Sequence, residues 1–158
     1  MTKKPYCRRV KDVMSKQVVT VDLGATAHDA IALMVENRVS GLPVVDRREH
    51  CVGILSASDL VDLAHDVDDE LIRLDRQTNT PRHWWLGEIA ELGMDHRNVK
   101  ELMSTTVAAV GPETSLVETA QEMLRQRVHR LPVLNERRHI LGIISTTDIL
   151  TAFANGSV

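Results

Sequence analysis

Four things are missing from this 158-residue chain, and each narrows what it does. It has no P-loop, no Gly-x-Ser-x-Gly elbow, no His-Glu-x-x-His helix and no Cys/His cluster with metal-ligand spacing. Catalysis is therefore not expected, nor is a bound metal or cofactor. No stretch approaches the roughly 18 consecutive apolar residues that cross a bilayer, and no secretory signal opens the chain. A cytoplasmic protein with no membrane contact is the expectation. No run of Lys/Arg exceeds a pair and the formal net charge is −3, so nucleic-acid binding has little electrostatic support. The pairs Lys3-Lys4 and Arg8-Arg9 read as a solvated terminus rather than a contact arm. Cysteine is scarce: Cys7 stands near the start, while Cys51 lies among Val52, Ile54 and Leu55 and reads as a small core residue.

What is present is a duplication. Gly53-Ile54-Leu55-Ser56-Ala57-Ser58-Asp59 returns 89 residues later as Gly142-Ile143-Ile144-Ser145-Thr146-Thr147-Asp148. The same offset relates Met14 to Met103, Pro43 to Pro132 and His50 to His139, and 18 of 51 positions are identical between Val10–Leu60 and Val99–Ile149 without a gap. Cys7 and Cys51 have no counterparts at that offset, which argues against a repeated disulfide or metal site. Hydrophobic residues make up 43% and charged residues 26%, ordinary for a globular chain. Each copy is too small to bury its apolar faces alone, so the two are expected to share a core.

Within a copy the pattern reads strand–helix–strand–strand–helix. Val18-Val19-Thr20-Val21 is β-branched and predicts a strand. Thr26 with Asp29 predicts a capped helix with Ala27, Ala30, Ile31 and Met34 on its buried stripe; Ser115 with Glu118, followed by Leu116, Ala120 and Met123, repeats it. Met34 and Met123 read as core. Leu42-Pro43-Val44-Val45 predicts a strand with proline at its edge. Asp46-Arg47-Arg48-Glu49-His50 is a polar turn, and Cys51–Leu55 returns as the second arm of a hairpin. Arg47-Arg48 and Arg137-Arg138 then sit at solvated hairpin tips. The Gly-Ile-x-Ser-x-x-Asp run predicts a strand entering a helix at a capping box, in which serine and acid answer each other's backbone amides. Either capping alone or ligand binding suits those residues.

The organisation expected is repeat one over 1–64, a helical insertion over 65–98 and repeat two over 99–158. Leu60, Ala64, Val67, Leu71 and Leu74 recur at helical spacing, so the helix after Asp59 is expected to reach Arg76. Gln77–Pro81 breaks it, and a second helix over 82–92 carries Trp85, with Trp84 beside it. Asp66, Asp68, Asp69 and Glu70 lack calcium-loop spacing and read as a solvated face.

Four motifs recur in order in both copies. They are Val13-Met14 and Leu102-Met103; Arg38-Val39-Ser40-Gly41 and Arg127-Val128-His129-Arg130; Leu42-Pro43-Val44 and Leu131-Pro132-Val133; and the two Gly-Ile-x-Ser-x-x-Asp runs. With these the chain resembles tandem cystathionine β-synthase (CBS) domains, the Bateman module. It resembles most closely the nucleotide-binding half of the γ subunit of AMP-activated protein kinase. The resemblance implies an α/β (α+β) fold of two β-α-β-β-α repeats packed pseudo-symmetrically around two adenosine-binding clefts. One cleft would use Ser145, Thr147 and Asp148 with Val19, Thr20, Val39 and Ser40. The other would use Ser56, Ser58 and Asp59 with Ala108, Ala109, Val128, His129 and Arg130. In the family the aspartate accepts the ribose hydroxyls and the hydroxyl residues face ribose or phosphate.

That chemistry suits the residue types. A carboxylate is a natural acceptor for a cis-diol, and a guanidinium grips phosphate oxygens with paired hydrogen bonds. Ser40 and Gly41 stand where the other copy has His129 and Arg130, so the Asp148 cleft is expected to lack a cation and the Asp59 cleft to prefer AMP or ADP. The function implied is a regulatory sensor of AMP, ADP or ATP. A dimerising module with degenerate clefts and an S-adenosylmethionine sensor are the alternatives. A homodimer is the expected assembly, acting on a regulated protein that the sequence does not identify.

Overall fold

A computed structural model describes residues 8–64 and 97–156. Residues 65–96 of the helical insertion, with the expected continuation to Arg76 and the Trp84-Trp85 pair, lie outside them, as does Cys7. The elements of the first copy are β1 (Val21–Asp22), α1 (Ala27–Asn37), β2 (Gly41–Val45), β3 (Cys51–Ser56) and α2 (Ala57–Ala64). The second copy follows with α3 (Val99–Leu102), α4 (Leu116–Gln126), β4 (Arg130–Leu134), β5 (Ile140–Ser145) and α5 (Thr146–Gly156). A 3₁₀ turn, Val10–Asp12, precedes the first copy in the place that α3 holds before the second. No described helix is long and apolar enough to cross a membrane.

Both long amphipathic helices start as the residue pattern predicts. Thr26 Oγ1 accepts from the Asp29 amide at 3.2 Å, and the Asp29 carboxylate accepts from the Thr26 amide at 3.0 Å. Ser115 and Glu118 form the same box at 3.2 and 3.0 Å. Hydrogen bonds from the Thr26 backbone and side chain hold the Asp29 carboxyl below its ordinary pKa, and those from the Ser115 side chain and backbone do so for Glu118. Ala27, Ala30, Ile31 and Met34 are all buried; on α4 the buried set is Leu116, Thr119 and Met123, with Ala120 half-buried. Both helices end on an arginine in the left-handed region, Arg38 at φ 53° and Arg127 at φ 55°.

The sheets depart from expectation at the first strand. Of Val18–Val21 only Val21 is in a strand; β1 pairs in parallel with β2 through Val21–Val44 and Asp22–Val45. In the second copy the same contact shrinks to one parallel bridge, Val110–Val133. β-Branched residues suit a pleated surface but do not supply a partner strand. The sheet order β1-β2-β3 also makes β2 the central strand. Pro43 is tolerated there because β1 reaches only Val44 and Val45.

The described chain divides into two compact units that do not coincide with the repeats. The first unit is Val19–Arg48 with residues 52–64 and 97–107; the second is the chain up to Val18, Glu49–Cys51 and everything from Ala108. Each is completed by the segment that opens the other copy. In the second unit fully buried Val10 packs with Leu116, Leu131, Val133 and Ile144, and its amide donates to the Thr114 carbonyl at 3.0 Å. In the first, fully buried Val99 packs with Ile31, Met34, Leu42 and Leu55, and its amide donates to the Ala25 carbonyl at 2.9 Å.

A reciprocal bridge locks each segment down. Ser15 and Ile143 exchange hydrogen bonds of 2.9 Å; Ile54 and Ser104 exchange bonds of 3.0 and 2.9 Å. The neighbouring glycines are required by this approach. A Cβ on Gly142 would lie 2.6 Å from the Ser15 carbonyl oxygen, and one on Gly53 would lie 2.6 Å from Met103 Sδ and 2.9 Å from the Ser104 oxygen. A Cβ on Gly41 would meet only the Leu55 oxygen, at 3.7 Å. We therefore expect Gly142→Ala and Gly53→Ala each to cost about 1–3 kcal/mol, the range of overpacking, and Gly41→Ala to cost far less. Urea denaturation of the three variants checks this; equal losses would show that the close approach is not limiting.

Candidate functional site

The two hydroxyl–acid corners form where a hairpin runs straight into a helix. β3 ends on Ser56 and α2 begins on Ala57; β5 ends on Ser145 and α5 begins on Thr146. Asp59 Oδ2 accepts from the Ser56 amide at 2.7 Å and from Ser56 Oγ at 2.8 Å, while the Asp59 amide donates to Ser56 Oγ at 3.2 Å. The Ser145–Asp148 corner has the corresponding bonds at 2.7, 2.7 and 3.1 Å. Both are complete capping boxes, and both aspartates are half-buried. In each, all three bonds fall on Oδ2 and the serine hydroxyl. Oδ1 of Asp59 and of Asp148 has no partner among the described residues.

The loop before the central hairpin strand is tied to the same corner. The Ala57 amide donates to the Ser40 carbonyl at 2.8 Å, and the Thr146 amide to the His129 carbonyl at 2.9 Å. Arg130 is directly across the hairpin from Ser145. Within the units, then, Ser40 stands by the Asp59 corner, and His129 and Arg130 by the Asp148 corner. The resemblance groups them the other way round, and those groupings join residues of different units. The hairpin register carries this placement, and it was available from the offset between the loop motif and the Gly-Ile-x-Ser run.

The other expected site residues divide by exposure. Val19, Thr20, Val39, Ala108, Ala109, Val128 and Ser58 are half-buried, whereas Ser40, His129, Arg130 and Thr147 are exposed. The Arg130 guanidinium has no ion-pair or hydrogen-bond partner among the described residues. Nothing in the sequence pointed to the stacking of His50 on His139, with ring centroids 4.7 Å apart. Beside it Arg138, expected at a solvated tip, donates from Nε to the Cys51 carbonyl at 3.0 Å. Cys51 is fully buried, as expected.

Val128 and His129 also line an apolar groove of about 440 Å³ in the second unit, with Met123, Leu124, Ile149 and Leu150. Asp148 does not line it. Leu124 is 78% exposed and Leu150 68%, and Val35, the counterpart of Leu124 in the first copy, is 41% exposed. Arg127 and Thr146 complete the lining, which is mainly apolar.

Comparison with known proteins agrees with this architecture. The family model described as CBS domain matches residues 10–66 and 99–155. An uncharacterized protein of Methanocaldococcus jannaschii is 30% identical over 153 residues, covering 90% of this chain and 89% of its own. The human 5'-AMP-activated protein kinase subunit gamma-3 is 32% identical over 78% of this chain, which corresponds to 22% of the subunit. The crystal structure of CBSX2 in complex with AMP superposes with a TM-score of 0.70 at 27% identity, covering 93% of this chain and 96% of that one.

Because serine and acid form one box, their contributions to stability must overlap. Ser56→Ala and Asp59→Ala should each cost about 1 kcal/mol, and the double variant should cost clearly less than the sum; Ser145 and Asp148 should behave alike. A double-mutant cycle in urea measures this, and strict additivity would mean that the box contributes nothing as a unit.

Proposed function

The chain belongs to the CBS domain family, and from that premise we propose that it is a regulatory module that binds adenosine nucleotides (AMP, ADP or ATP) and acts through binding rather than catalysis. The observation that carries the reading is the paired corner geometry. In each corner the cap is complete on Oδ2 and the serine, which fixes the carboxylate while leaving Oδ1 without a partner among the described residues. An oriented, half-buried carboxylate oxygen is a strong acceptor for ribose hydroxyls, and its position costs the ligand nothing in side-chain ordering. The AMP complex of CBSX2, a structure with 27% identity to this chain, supports the ligand class.

In this reading Asp59 and Asp148 accept ribose hydroxyls, with Ser56, Ser58, Ser145 and Thr147 beside them. Main chain at Val19, Thr20, Val39, Ser40, Ala108, Ala109 and Val128 borders the base. His129 and Arg130 take the phosphate, and Arg130 is suited to it because its guanidinium has no competing carboxylate among the described residues. Gly41 at the matching place offers no cation, so the two corners are not equivalent.

Calorimetric titration of adenosine, AMP, ADP, ATP and S-adenosylmethionine tests the proposal. Asp59→Ala and Asp148→Ala should each weaken adenosine and AMP about ten- to hundred-fold at one site, the effect of losing hydrogen bonds to a charged group. Arg130→Ala should weaken AMP while leaving adenosine nearly unchanged, and should flatten the salt dependence of AMP binding. If every adenosine compound binds both aspartate variants like the parent, the ribose role is wrong. Binding of S-adenosylmethionine alone would transfer the reading to that ligand.

We further propose that the partner of the Leu124–Leu150 face is a second copy of this chain. Support comes from the duplication itself, which puts exposed apolar residues at matching helix positions, Val35 and Leu124. Sedimentation at micromolar concentration should show a dimer for the parent and a monomer for Leu124→Asp/Leu150→Asp. A monomeric parent would remove the homodimer.

A further inference from the structure

Four of the six methionines lie among the described residues, and they form two matched pairs under the 89-residue offset. Met34 and Met123 are interior residues of α1 and α4, exposed by 0% and 2%. Met14 and Met103 are placed differently. Both are half-buried and stand in the segments that open each copy. Exposed residues follow each of them, Ser15 and Lys16 in one segment and Ser104 and Thr105 in the other.

Each of these two thioethers fills the open side of a glycine. A Cβ on Gly142 would lie 2.7 Å from Met14 Sδ, and one on Gly53 would lie 2.6 Å from Met103 Sδ. The fully buried valines of the same segments, Val10 and Val99, stand four residues earlier. The reciprocal main-chain bridges come one residue later, at Ser15 and Ser104. Each sulfur thus sits between anchor and bridge. Met14 packs against the second unit's core and Met103 against the first unit's.

An unbranched, apolar thioether suits such a seat. It is also open to a reaction that leucine would not undergo. A sulfur lone pair attacks one oxygen of a peroxide, and the S–O bond forms as the O–O bond breaks. The proton on the transferred oxygen passes to the departing hydroxide. Sulfur is oxidised by two electrons to the sulfoxide, and the peroxide is reduced to water. The sulfoxide oxygen requires a hydrogen-bond donor or water, while the glycine contact leaves the sulfur little room on that side. Keeping the seat and solvating the oxygen are therefore opposed.

We propose that Met14 and Met103 are paired oxidation sites, at which hydrogen peroxide converts each thioether to its sulfoxide and loosens the segment that closes each unit. Sulfoxide reduction by a reductase makes the modification reversible.

The test is limited peroxide treatment of the full chain, then dithiothreitol to reverse cysteine products, peptide mass mapping and thermal melting. Met14 and Met103 are expected to gain oxygen about tenfold faster than Met34 and Met123, because susceptibility follows exposure. The melting temperature is expected to fall by about 5 °C, and methionine sulfoxide reductase should restore it. Met14→Leu/Met103→Leu, which roughly conserves volume, should hold its own melting temperature through the same treatment. Met14→Gln should lower the melting temperature with no oxidant present. Equal oxidation rates at all four described methionines, or an equal fall in the parent and the double leucine variant, overturn the proposal. The rates measured on the parent decide it should the leucine variant fail to fold.

Discussion

Each hydrophobic core in this protein is closed by a valine from the other copy. Val10 in the second unit and Val99 in the first are fully buried, and each is held by a main-chain bond and by a bridge a few residues further along. Burying one such side chain contributes roughly 1.5–3 kcal/mol, a large share of what a domain of this size has to spare. The rest follows from that exchange. Glycine stands at 53 and 142 because main chain of the opening segments passes where a Cβ would be. Each described core takes one of its fully buried valines from the other copy, so the duplication is built into both.

The hydroxyl–acid corners are built within each copy and do not draw on that exchange. Their caps are internal to each copy and orient the aspartates without help from a ligand. Each carboxylate is consequently held by the fold through one oxygen, while the other has no partner among the described residues. For the proposed nucleotide role this would be preorganisation, since binding energy would not be consumed in ordering the site. Under the proposed nucleotide role, affinity and stability would share residues, so an aspartate variant must be read in both.

Against this shared frame the copies have diverged in charge at several loops and turns. Ser40-Gly41 against His129-Arg130, Gly24 against Glu113 and Arg47 against Glu136 all fall on exposed or half-buried positions in loops and turns. Some core positions are unchanged, namely Val44 and Val133, Leu42 and Leu131, and Met34 and Met123, whereas the helix stripe trades Ala27 for Leu116 and Ile31 for Ala120. Packing constrains the total volume of a face more than each residue on it, whereas a solvated loop accepts a new charge at small cost.

Much of this was legible in the order of residues, wherever the physics is local. The boxes at Thr26–Asp29, Ser56–Asp59, Ser115–Glu118 and Ser145–Asp148 depend on a spacing of three, and the stripe Ala27, Ala30, Ile31, Met34 on a period of 3.6, so both could be read directly. The duplication likewise needs only a comparison of the chain with itself. Other features belong to tertiary structure. Which copy receives Val10 and Val99, how far Val18–Val21 pairs, why Pro43 is accepted in a central strand and that Arg138 reaches the Cys51 carbonyl all depend on partners distant in sequence. Spacing specifies a residue's neighbours along its own helix or strand; the identity of the chain that arrives beside it is decided only when the whole core closes.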